Sequence, residues 1–344
     1  MTHGKSSGSR IDLLDWLKGC AIIAVVLDHL WIVPEPYVVW SVNLFVLVTA
    51  FIFSQPRYVF SFIKLALKIF QLLYLTTFAV LLVRGLNTLF NIPNPQPLLS
   101  VFLNPYALFV HNKYLGDIWY IALHFQFLIL FYFFLKNRVA PKPPFVFGIA
   151  VVVNLASILF THFVLKRFHT ILVSSWLVFL AAGFYGMRPF LRTILDFPHN
   201  RLLGAGAGLG LLLSLYGLSP FFPWLFTNTY RAFFINLPFY FALILFLAES
   251  FHLLGDFGPG RVLKSAVHLL GRHSLAIYLT HGPFQLMWRM AFPSSLAVAV
   301  LCVLSGVIFG IVADWLFLQI KKSGSRIGPS IRELSRYNPH LTDR

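Results

Sequence analysis

Residues 293–319 read PSSLAVAVLCVLSGVIFGIVADWLFLQ, a run in which Asp314 is the one charged side chain. A helix needs about 20 mostly apolar residues to cross a bilayer, and this run has the length and the composition. It is continuous rather than alternating, which argues against a strand. Nine further stretches of the same kind precede it: 12–32, 37–54, 59–83, 118–135, 144–165, 169–187, 202–219, 232–251 and 266–288. Helix breakers fall between them, at Pro34 and Pro36, Pro93 to Pro97, Pro141 to Pro144, Pro220 and Pro223, Gly258 to Gly260, and Pro293. The expected fold class is all-α: a polytopic transmembrane helical bundle of about ten helices. Residues 1–320 are expected to form one transmembrane domain, and 321–344 a short basic tail. The connection 84–117 is long enough for a re-entrant or interfacial segment.

Composition supports this reading. Of the 344 residues, 58% are hydrophobic and 11% charged, whereas ordinary soluble domains carry about 25% charged residues. Two soluble domains could not be surfaced with so few charges, and the apolar content excludes disorder. Two cysteines, both in apolar runs, do not make a secreted disulfide scaffold. No cleavable signal sequence is expected at the start, because Asp12, Asp15 and Lys18 interrupt the first apolar run.

The net charge of +16 suggests nucleic acid at first sight. Its distribution argues for a membrane protein instead. With a cytoplasmic N-terminus and ten spans, twenty Lys and Arg fall in inside loops and tails and six outside, Lys18 being set apart within a span. That asymmetry predicts cytoplasmic N- and C-termini and no nucleic-acid partner.

Ionisable groups kept inside a span are expensive, so they are the first candidates for function. The stretch RIDLLDWLKGCAIIAVVLDH carries Asp15, Lys18, Asp28 and His29. Lys18 and His29 are eleven residues apart, which places them on one helix face separated by about 16 Å. Lys18 is expected toward the cytoplasm and His29 toward the outside. The alternative is an ion pair of Lys18 with Asp15 one turn back, with His29 marking the interface.

A second constellation lies in LGRHSLAIYLTHGPF. Ser274, Tyr278 and His281 follow i, i+4, i+7 and share a face, with Arg272 and His273 at the inner end. Interhelical hydrogen bonding explains Ser274 and Tyr278 better than a reactive role, and His281 less well. His124 in DIWYIALHFQF is a weaker candidate. Asp314 and Glu249 are expected to pair with Lys or Arg. GAGAGLG at 204–210 reads as close helix packing rather than a dinucleotide loop. There is no HExxH or CxxC pattern, and no metal is expected.

These segments together resemble the acyltransferase family 3 membrane proteins. LDWLKGCAIIAVVLDH is similar to the family's opening motif, in which a basic residue, usually Arg and here Lys18, precedes a histidine by eleven positions. LGRHSLAIYLTHGPF resembles its late motif through Ser274, Tyr278, Leu279, His281 and Pro283, and WYIALHFQF its Trp-led middle pattern. Departures exist: His124 stands where many members have Glu, and the Arg-rich segment at the third helix is reduced to Lys64 and Lys68. The small-residue turn of the second helix reads VTAF at 48–51.

The resemblance implies an acyl-CoA donor, most often acetyl-CoA, and a hydroxyl acceptor on an extracytoplasmic glycan, glycolipid or related molecule. His29 would act as general base or acyl carrier, with Tyr278 and His281 orienting it or stabilising the oxyanion. Lys18, Lys64, Lys68, Arg272 and Ser274 would hold the donor. The expected location is the plasma (inner) membrane, multi-pass, with transfer either direct or through a separate extracytoplasmic partner protein. A transporter or exporter of polysaccharide or lipid-linked sugar is the alternative.

Overall fold

A computed structural model describes residues 6–30, 32, 40–55, 62–89, 119–136, 143–160, 163, 173–196, 200–217, 221, 234–256, 258–292 and 295–327. Among the described residues every regular element is a helix. In chain order these are α1 (Ser6–His29), α2 (Trp40–Phe53), α3 (Phe62–Leu89), α4 (Trp119–Lys136) and α5 (Pro143–Phe160). Then come α6 (Leu177–Ala181), α7 (Met187–Asp196), α8 (Arg201–Gly217), α9 (Leu237–Asp256), α10 (Gly258–Arg272), α11 (Ser274–Ala291) and α12 (Ser295–Ile327). A π-turn, Ala182–Gly186, joins α6 to α7.

Each apolar stretch contains helix. Among the described residues, three helices are long and apolar enough to cross a membrane, over Pro143–Phe160, Leu237–Gly255 and Leu296–Leu316. They carry large apolar side chains outward, among them Phe145, Val152, Leu304 and Ile308. A water-facing surface would not display so many. The residues 90–118, which hold most of the long connection, and 328–344, which hold most of the basic tail, lie outside the described residues.

Helix boundaries depart from the apolar runs where polar residues continue the hydrogen-bonded ladder. α1 begins at Ser6, α3 runs on to Leu89 and α12 to Ile327. Hydropathy marks what lies in hydrocarbon, not where a helix stops. The stretch 266–288 needs a larger correction. It is not one helix: the chain turns at His273, separating α10 from α11. α10 is amphipathic, with Arg261, Lys264, His268 and Arg272 recurring at i, i+3, i+7 and i+11.

The most extensive packing is between α11 and α12, α8 and α9, and α1 and α10. One continuous core, with Trp176, Phe51, Phe127 and Phe179 wholly buried, runs through all these helices. Trp16 Nε1 donates to the Leu247 carbonyl at 3.0 Å, tying α1 to α9. Asn154 on α5 donates to the Ser175 carbonyl at 2.5 Å, and the Ser157 hydroxyl lies 2.9 Å from those of Ser174 and Ser175. Of the 204–210 segment, Gly208 packs against the backbone of Phe246, while Gly206 and Gly210 face open space.

Glu249 is wholly buried and meets Arg201 Nη1, at 3.2 Å from Oε2. The same nitrogen donates to the Ile194 carbonyl at 2.9 Å, so one guanidinium ties α9 to α7 and α8. Arg201→Ala removes this guanidinium from a buried carboxylate, and a loss of about 3 kcal/mol is expected. A lower melting temperature of the purified protein in detergent checks it, with Arg201→Lys falling between. Asp314 is half-exposed and, among the described residues, faces His273 Nδ1 at 3.6 Å. The turn at His273 carries that imidazole toward α12 and swings Arg272 toward α1.

Candidate active site

The last turn of α1 brings His29 against α11. The His29 and His281 rings have centroids 4.7 Å apart, tilted by 38°. The Tyr278 ring lies 5.6 Å from His281. Gln285 donates from Nε2 to the His29 carbonyl at 2.9 Å, fixing the end of α1 on α11. Gln285 was not among the expected residues, although it extends the polar stripe 274, 278, 281 by four more positions.

His281 is buried, and its Nδ1 lies 2.6 Å from the Tyr278 carbonyl oxygen. A carbonyl can only accept, so Nδ1 carries the hydrogen and Nε2 holds the lone pair of the neutral ring. The backbone of α11 therefore selects one tautomer.

Lys18 is held differently. Its Nζ pairs with Asp15 Oδ1 at 2.6 Å, the local ion pair that spacing had offered as an alternative. It nevertheless reaches a crevice of about 280 Å³. Thr49, Gln71, His124, Arg272, Ser274 and Tyr278 supply the other polar walls, and Phe45, Phe53 and Leu128 are among the apolar ones. The crevice thus collects side chains from α1, α2, α3, α4, α10 and α11. His124, weak on sequence grounds, stands in its wall with Lys18 and Tyr278. Thr49 and Gln71 were not anticipated, since a lone hydroxyl or amide in an apolar run gives no pattern.

The site residues accordingly form two groups that meet at Tyr278. On one side is the crevice with Lys18, Arg272 and Ser274; on the other is the imidazole pair. His29 and His281 do not line the crevice; Tyr278 stands in its wall and against His281. Lys64 and Lys68 sit on α3, but their side chains lie outside the described residues, as does that of Trp119. Among the described residues no group of three or more His, Cys, Asp or Glu is arranged to hold a metal ion.

Chemically, the arrangement offers a basic crevice fit for an anionic ligand, and beyond it a base whose neighbour has a defined proton position. Comparison with known proteins bears on this chemistry. No curated protein and no solved structure matches the chain. The family model of the acyltransferase 3 group, an acyltransferase domain, matches residues 11–315, and this span holds the crevice and both imidazoles. The three membrane-length helices agree with a membrane-bound enzyme of this kind. The chain belongs to the acyltransferase 3 family.

Proposed function

We propose that the protein is a multi-pass enzyme of the plasma membrane, with both termini cytoplasmic. It moves an acyl group, acetyl in the simplest case, from cytoplasmic acyl-CoA to a hydroxyl of an extracytoplasmic glycan or glycolipid. The observation that carries this reading is the facing pair His29 and His281, with the His281 tautomer set by Tyr278. The crevice walled by Lys18 and Arg272 takes the donor, its phosphates toward the two cations.

The thioester end passes Tyr278 to reach His29. His29 removes the proton of the acceptor hydroxyl, and the oxygen attacks the thioester carbonyl. The carbon–oxygen bond forms, the carbon–sulfur bond breaks, and the imidazolium returns its proton to the departing coenzyme A thiolate. Histidine suits both half-steps, since its unperturbed pKa is about 6.5. Tyr278 donates its hydroxyl hydrogen in a hydrogen bond to the oxyanion. The His281 ring, packed against that of His29, steadies it for the attack.

Mass spectrometry of surface glycans and lipids tests the reading. A deletion strain should lack an ester that the intact gene restores and a His29→Ala copy does not. If the His29→Ala copy restores every ester, or if the deletion removes an entire glycan from the surface, transfer is wrong and export is favoured.

A further inference from the structure

The sequence pattern offered Lys18 an ion pair with Asp15 but did not connect it to Arg272; the structure joins both cations through that one carboxylate. We propose that Asp15 is a positioning residue that presents both cations to the donor's phosphates, with Arg272 supplying the two-pronged grip. This deepens the donor reading above and rests on it.

The two oxygens of Asp15 are divided. Oδ1 takes Lys18 Nζ at 2.6 Å, whereas Oδ2 lies 3.4 Å from His268 Nε2 and 3.7 Å from Arg272 Nε. Lys18 and Arg272 belong to the crevice wall, while Asp15 does not, so the carboxylate stands behind the cations rather than in the ligand's place. A competitor for the cations would lie inside the crevice.

The atoms used matter. Arg272 approaches Asp15 through Nε, so that contact does not use the edge formed by its two terminal nitrogens. That edge matches two oxygens of a phosphate, and the Arg272 side chain is 59% exposed. The Lys18 ammonium has three donors and spends one on Asp15. Lysine alone would bind a phosphate as a point charge.

Asp15 is itself held in place. The Gly271 α-carbon lies against its backbone, and His268 is shared with Asp12 Oδ1 at 3.1 Å. The anchor is therefore a fixed point where α1 and α10 cross, and it sets the separation of a cation from each helix. A simple helix-to-helix tie would need neither Lys18 nor the Nε approach of Arg272.

Calorimetry of coenzyme A binding to the full-length protein in nanodiscs tests this without an acceptor. Asp15→Asn should weaken binding roughly tenfold and Asp15→Glu by less than about threefold, because the fork loses its orientation but not its charge. In an Arg272→Lys background, itself roughly tenfold weaker, Asp15→Asn should add less than about twofold, since the two act as one unit. If the wild type binds no coenzyme A, the donor reading fails. If it binds, and Asp15→Asn binds as well or better, the anchor is wrong and the donor reading stands. Should Asp15→Asn not fold, wild-type affinity in Arg272→Lys overturns the inference on its own.

Discussion

Replacing His29 by alanine is expected to lower acyl transfer by about 10²–10⁴-fold, the usual contribution of a positioned general base. Coenzyme A affinity should change by less than about twofold, because His29 lies beyond Tyr278 from the crevice that holds the cations. The fold should survive. His29 is half-buried in the last turn of α1, and the bond that fixes that turn is made by its backbone carbonyl to Gln285, which alanine keeps. Assay of transfer in proteoliposomes with labelled acetyl-CoA separates the two quantities. Loss of turnover with donor binding intact is the expected pattern, and retained turnover removes His29 from the chemistry.

His281→Asn sharpens the same test. The asparagine amide sits near the position of Nδ1 and can still donate to the Tyr278 carbonyl, while the Nε2 lone pair is gone. If His281 only packs, this variant should transfer like the wild type. As a partner that steadies the His29 ring, it should cost roughly tenfold, less than the base itself. A loss as large as that of His29→Ala would mean that the two imidazoles act as a unit.

The membrane character, the all-helical class and the family were legible in the sequence because they rest on properties of contiguous residues. The run at 293–319 announces a membrane-length helix by itself, and the eleven-residue spacing of Lys18 and His29 needs only helical geometry. The i, i+4, i+7 stripe of α11 was legible for the same reason, and it meets His29 in the folded chain. What stayed hidden depends on residues far apart in the chain. The Lys18–Asp15 pair is local, but the approach of His268 and Arg272 to that carboxylate depends on the turn at His273. That turn is not marked by Pro, and its glycine, Gly271, lies inside α10 rather than at the break. The crevice was equally unreadable, since Thr49 and Gln71 gain meaning only when α2 and α3 stand beside α11.

Gly271→Leu should have the largest effect on folding. A β-carbon at position 271 would overlap the Asp15 carbonyl oxygen, and one at Gly19 would overlap that of Val267. The two glycines lie one turn apart on an antiparallel crossing, Gly271 opposite Asp15 and Gly19 opposite Val267. Each helix supplies one small residue at the place where the other's backbone passes. Neither obstacle is a side chain that can rotate away; each is main chain, so α1 and α10 must separate. Separation opens the packing around Leu13, Leu17 and Val267, all buried, and moves Asp15 away from Arg272. Overpacking a well-packed contact costs about 1–3 kcal/mol, and a backbone obstacle belongs at or above the upper end. Gly271→Ala is therefore expected to lower the melting temperature in detergent clearly, and Gly271→Leu to yield little monodisperse protein. Gly206→Ala is the control, because nothing lies within 4 Å of a β-carbon there. Alanine is the better helix former by about 1 kcal/mol, so that variant should be as stable as the wild type or more so. If Gly271→Leu and Gly206→Ala melt alike, α1 and α10 do not cross at this distance, and the shared carboxylate behind the two crevice cations falls with the crossing.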